Sequence, residues 1–314
     1  MKYDKLFETA KIGSLTLKNR FIMGAMGVGF AEMNGNPTDR TVAYYEERAK
    51  GGYALIITEV TRVQDTEFCT PLEPSLGSDK FIPGWKKVTD AVHAQGAYIF
   101  PQLHQPGRQY TKAILGHDTS APSPIACPVF DETPHELTTE EVWDNIHMFG
   151  DAAVRAKKAG FDGVEIHAGH GYLVQQFLSQ FSNRRFDEFG GSIENRARFA
   201  CEICKDIKKK CGEDYPVIIK LSGEEKVPGG MTISDTKIIA KYLEEAGYDA
   251  IEVTICNYAS LDWMSAPEDE PMGFNAYNAE KIKEGVHIPV AAIDRINTPE
   301  IAEDIIETGK ADFV

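Results

Sequence analysis

Two segments of the chain repeat one design. AGFDGVEI (residues 159–166) and AGYDAIEV (residues 246–253) each close a helical pattern with a glycine and pass directly into a short apolar run of strand type. The same alternation extends along the whole chain. The apolar runs Arg20–Ala25, Ala54–Val60, Tyr98–Leu103, Gly163–His167, Val217–Leu221, Ala250–Thr254 and Val290–Ile293 read as buried parallel strands, and an eighth begins at Asp312-Phe313-Val314. Helical patterns fall between them at Asp39–Lys50, Pro83–Gln95, Thr139–Lys158, Ile193–Lys210, Ser234–Glu245, Ala279–Lys283 and Pro299–Glu307. Repeated strand–helix units define an α/β chain, either a closed parallel barrel or an open doubly wound sheet. No GxGxxG follows the first strand, which counts against a dinucleotide-binding open sheet.

A chain of 314 residues is long enough for one domain of this kind, spanning 1–314. Its formal net charge of -15 removes the long-range attraction that binding to nucleic acid or an anionic membrane requires. The opening MKYDKLFETAKIGSLTLKNR has no apolar core of secretory length, and no run approaches a membrane span. Six cysteines in a chain this long do not make a disulfide framework, so a reduced, cytoplasmic protein is expected. Cys201 and Cys204 form a CxxC with Cys211 beyond, but RFACEICKDIKKKC has helical periodicity, so they read as one packed helix face and no metal set is expected.

Chemistry concentrates between Gly163 and Phe199. A strand-type run ends in His167; His170 follows at spacing three, then Gly171-Tyr172, and a polar, glycine-containing loop leads to a helix near Ser192. Imidazoles exchange protons near neutral pH, and a strand end is where an α/β protein builds its site. The full stretch, EIHAGHGYLVQQFLSQFSNRRFDEFGGSIENRARF, resembles the Old Yellow Enzyme (NADH:flavin oxidoreductase) family of FMN-containing (β/α)8 TIM barrels. LFETAKIGSLTLKNRFIMGAMG near the start and PQLHQPGR after the third strand carry the resemblance to other parts of the chain.

The resemblance implies the following. The cofactor is FMN, with NAD(P)H as electron donor, and the substrate is a small enone or enoate whose C=C bond is reduced. Gly24, Ala25, Met26 and Gly27 lie against the flavin ring, where small residues permit close backbone approach. The family usually has Pro at Ala25 and Thr or Cys at Gly27. Gln102 faces the flavin pyrimidine edge with an amide that donates and accepts. Lys220 supplies a cation to the reduced ring, and Arg295 contributes to the phosphate site. His167 and His170 donate to the substrate carbonyl, and Tyr172 delivers a proton. The family histidine of QLxHxGR falls on Gln105, so its role does not pass to His104, which reads equally as a strand-end histidine or a substrate contact, and Asp294 stands where the family often has Gly. The long connection Pro122–Pro134 is expected to line the site, and Cys256–Phe274, with Tyr258, Trp263 and Met264, reads equally as a wall of the substrate pocket or as a plain surface loop. A second reading is a flavin-dependent amine dehydrogenase, which carries Tyr at the place of His167; a third is a non-catalytic barrel. The family continues strand eight past ADFV, so the barrel is expected to be C-terminally incomplete, with an open seam. A 4Fe–4S cluster and FAD belong only to a longer parent, and a homo-oligomer is possible on the resemblance alone.

Overall fold

The computed structural model describes residues 2–264, 266 and 268–314, which leaves Ser265 and Pro267 of the expected 256–274 loop outside the described residues. Seven parallel strands make one sheet: β1 (Ile22–Met23), β2 (Leu55–Arg62), β3 (Tyr98–His104), β4 (Val164–Ala168), β5 (Val217–Ser222), β6 (Ala250–Thr254) and β7 (Val290–Ala292). They lie in strict sequence order, from β7 at one end to β1 at the other. Helices α1 (Asp39–Lys50), α2 (Ile82–His93), α3 (Thr139–Lys158), α4 (Ile193–Cys211), α5 (Ile233–Ala246), α6 (Ala276–Lys283) and α7 (Pro299–Glu307) alternate with them. The expected ends of α1, α3 and α7 are met to the residue, because their caps are written locally. Thr138 accepts the Glu141 N–H while the Glu141 side chain takes the Thr138 N–H, closing a capping box, and Pro299 opens α7.

The seam departs from expectation. Residues 312–314 fill the gap between β7 and β1. Asp312 N–H donates to Val290 O (2.7 Å), Ala292 N–H to Phe313 O (2.9 Å) and Ile22 N–H to Val314 O (2.8 Å). The anticipated open seam is therefore closed at this level, because one extended tripeptide presents backbone groups to both neighbours. The structure is a nearly closed (β/α)8-type barrel.

Period-two alternation builds the interior in layers. Lowest are Ile57, Phe100, Ile218, Ala250, Ala291 and Phe313, sealed from beneath by Ile12 and Leu17 of a small hairpin (Ala10–Ile12 with Leu15–Leu17) that the sequence reading missed. Gly163 must be glycine here, since a Cβ would meet the Phe100 ring at 2.5 Å. Two residues further up β3 to β6 come Gln102, Glu165, Lys220 and Glu252, and two more bring His104, His167, Ser222 and Thr254 to the mouth. The opposite faces of the same strands, such as Ile99, Ile166, Ile219 and Val253, pack under the helices. Cys201, Cys204 and Cys211 are buried on α4, in keeping with a packed face. No helix among the described residues is long and apolar enough to cross a membrane.

Candidate active site

The polar floor is two buried pairs. Gln102 Nε2 donates to Glu165 Oε2 (2.6 Å), and Lys220 is ion-paired with Glu252. Burial holds the Glu165 carboxyl well above the usual range, and neighbouring Glu252 adds to this against the pull of Lys220. Burial pulls the Lys220 ammonium down, but Glu252 and Glu165 outweigh it and leave its pKa raised, so it stays charged. The sequence reading recognised Lys220 and Gln102 but not their carboxylate partners, which occupy the same place in the two repeated segments. A charged residue inside an otherwise apolar strand was the available signal.

Gly24 brings the chain after β1 over this floor: a side chain there would stand 3.4 Å from Glu252 Oε1 and 4.0 Å from Lys220 Nζ. A Cβ at Gly27 would meet nothing within 4 Å, and Met26 is 62% exposed. Ala25 continues the same extended segment. Just beyond, Glu59 of β2 accepts from Val28 N–H and Gly29 N–H, both at 2.9 Å, and fixes its course.

The histidine loop is held by its own backbone. His170 adopts φ 57° and Gly171 φ 79°, and at Gly171 a Cβ would lie 2.5 Å from Gln109 Nε2. Gly171 N–H donates to Gln175 Oε1 (2.8 Å), and Gln175 in turn donates to Glu225 (2.9 Å). His167 Nδ1 accepts the Gly169 N–H at 3.2 Å, which places the ring proton on Nε2, and Nε2 has no hydrogen-bond partner among the described residues. Burial, with His170, His104 and Lys220 adding to it, keeps this imidazole well below its ordinary pKa and hence neutral. His170 is lowered to about 3, first by burial and then by Lys220, and its Nε2 lies 2.9 Å from Thr254 Oγ1. Tyr172 starts the short helix Leu173–Leu178. Its ring centre is 5.0 Å from that of His167, its hydroxyl is 2.9 Å from that of Tyr258, and burial raises its pKa well above 10.

His167, His170 and Tyr172 thus share one mouth with Gln102 and Lys220 a layer below. Tyr258 joins them from the loop after β6, and His104, which the sequence left open between a strand-end histidine and a substrate contact, packs edge-on to Tyr172 at 4.4 Å. Trp263 of the same loop instead packs beside Phe274. Arg295 lies apart, lining a cavity of about 480 Å³ with Phe21, Tyr53 and Val314 where β7 and β1 meet. Asp294 and Arg295 take successive left-handed conformations, φ 80° and 53°.

The Asp294 carboxylate accepts from Asn275 Nδ2 at 2.9 Å, and burial pushes its pKa up to about 6 although Lys220 opposes this. A folded pKa above the unfolded value of about 3.9 means that the group's contribution to stability is complete below that value and is lost as pH rises through 6. Asp294→Asn keeps a residue that tolerates this backbone and removes the loss. Denaturant unfolding at pH 4 and pH 7.5 is expected to show the wild type losing up to about 2–3 kcal/mol more than the variant. Equal losses would place the carboxylate in solvent.

A parallel barrel with a buried cation, an amide and neutral imidazoles at the C-terminal face of its strands gathers polar groups where such barrels hold their ligands. The NADH:flavin oxidoreductase / NADH oxidase family matches residues 5–314. An NADH oxidase of Thermoanaerobacter brockii is 43% identical over 99% of this chain and 48% of its own length. A cinnamate reductase of Clostridium sporogenes is 40% identical over 100% of the chain and 50% of its own length. Among solved structures, a 2-naphthoyl-CoA reductase superposes with a TM-score of 0.94 at 31% identity, covering 99% of this chain and 49% of that one. The chain belongs to the NADH:flavin oxidoreductase / NADH oxidase family, whose cofactor is FMN. It spans about half the length of the curated relatives it matches first.

The residues present fit FMN. Gly24 leaves the backbone free to approach a flat ring above the floor, and the Gln102 carbonyl oxygen takes no donor among the described residues. The ammonium of Lys220 is buried in the same layer.

Proposed function

We propose that this barrel uses FMN and electrons from NAD(P)H to reduce the C=C bond of a small α,β-unsaturated carbonyl compound. The observation that carries the reading is the His167–Tyr172 pair: a neutral imidazole with an unengaged Nε2–H, and a protonated phenol whose ring centre is 5.0 Å away. One is a donor for a carbonyl oxygen and the other an acid for the adjacent carbon. The names of the cinnamate and 2-naphthoyl-CoA reductases among the relatives support a conjugated acyl substrate.

Gly24, Ala25, Met26, Gly27, Gln102 and Lys220 would hold the ring, and Arg295 the phosphate end. Bound FMN supplies the hydride that NAD(P)H provides and the β-carbon receives. His167 donates through Nε2–H to the carbonyl oxygen, where negative charge grows as the double bond is reduced. Thr254 fixes the His170 ring; when its hydroxyl donates to Nε2, the ring proton sits on Nδ1 and is free for the same oxygen. Keeping both imidazoles neutral avoids a buried cation before the enolate forms. Tyr172 O–H gives its proton to the α-carbon, and Tyr258, 2.9 Å behind it, is placed to replace that proton.

The protein is expected to purify yellow and to release FMN on denaturation, identified by chromatography. A colourless protein that takes up no FMN on reconstitution overturns the reading.

A further inference from the structure

On the outer side of Tyr172, three side chains of metal-ligand type converge that the reaction above does not use. Cys69 and Glu73 come from the loop after β2, and His104 ends β3. Cys69 Sγ lies 3.1 Å from His104 Nε2, and Glu73 Oε2 accepts the Cys69 N–H at 2.7 Å. One ligand atom from each residue lies within 4.8 Å of those of the other two. Glu73 is 1% exposed and His104 0%, yet Glu73 Oε1 and His104 Nδ1 have no hydrogen-bond partner. Buried polar atoms are seldom left in that state unless something else satisfies them.

The surroundings are compatible with an added cation. The Arg62 guanidinium beside the cluster donates to Asp65 O (3.3 Å), Thr70 O (3.4 Å) and Pro71 O (2.8 Å) and stacks on Phe68 at 4.4 Å. It therefore pins the loop that carries Cys69 and Glu73 to the end of β2. One thiolate, one carboxylate and one neutral imidazole balance a divalent charge, so the occupied site adds no net charge to the interior. Thiolate with imidazole selects borderline-soft ions over magnesium or calcium, and three protein ligands leave a fourth position open.

We propose that Cys69, Glu73 and His104 form a binding site for a divalent cation of the zinc class beside the catalytic tyrosine. His104 packs edge-on to Tyr172 with ring centres 4.4 Å apart, so an ion held here fixes the imidazole that stands against the proton donor and couples metal binding to the reaction site.

The test is calorimetric titration of Zn²⁺ into chelator-treated, reduced full-chain protein, with Co²⁺ as a spectroscopic probe. One equivalent is expected to bind, unaffected by excess Mg²⁺, and Co²⁺ is expected to give a thiolate charge-transfer band. Cys69→Ser and Glu73→Gln should each weaken Zn²⁺ binding by more than the roughly 10–100-fold that loss of a mere supporting residue costs. Cys69→Ser should also abolish the charge-transfer band. No stoichiometric site in the wild type overturns the proposal, as does affinity unchanged in whichever of the two variants folds.

Discussion

Tyr172→Phe is expected to slow the oxidative half-reaction, in which the unsaturated substrate is reduced, by about 10²–10⁴-fold, the usual contribution of a positioned acid. The reductive half-reaction with NAD(P)H is expected to keep its rate, because no phenolic proton is needed there. Phe keeps the ring against His104 and His167, whose centres lie 4.4 and 5.0 Å away, so the mouth stays packed and only the hydroxyl is lost. His167→Ala should differ in kind. It removes a donor to the carbonyl oxygen and so weakens binding of carbonyl ligands as well as slowing their reduction. Stopped-flow measurement of each half-reaction separates the two. Equal slowing of both halves by Tyr172→Phe would make the tyrosine structural.

The second large effect concerns stability. Lys220→Met deletes the cation between two buried carboxyl groups, Glu252 at 1% exposure and Glu165 at 0%. Removing one partner of a buried ion pair costs about 3–5 kcal/mol, because the remaining charge has neither solvent nor counter-ion. Adding Glu252→Gln to Lys220→Met removes that charge and should recover most of the loss, while FMN affinity stays low in both variants. Denaturant unfolding of the two variants and the wild type gives the comparison. If the single variant loses under about 1 kcal/mol, as an exposed pair would, the pair is solvated rather than buried.

How far the sequence reveals this protein depends on the range of the interactions involved. The alternation of strand and helix is local and was legible, as were the bounds of α1, α3 and α7. The His167-His170-Tyr172 group was legible because three polar ring side chains lie within six residues at one strand end. The convergence of Cys69, His104 and Tyr258 on Tyr172 was not, since it joins the ends of β2, β3 and β6 and depends on the barrel closing. The hairpin beneath the barrel was missed because its strands have three residues each, too short for alternation to register. The expected open seam failed for a related reason: strand pairing at residues 312–314 is made by backbone atoms, which side-chain patterns do not report.

The most direct measurement is an anaerobic one. The purified protein is bleached with one equivalent of NAD(P)H and then mixed with a conjugated enoate or enone such as cinnamate or cyclohexenone. Return of the oxidised flavin spectrum with one equivalent of the saturated carbonyl product is the predicted result. A flavin that is bleached by NAD(P)H and reoxidised by dioxygen, but left reduced by every conjugated carbonyl compound supplied, would contradict it.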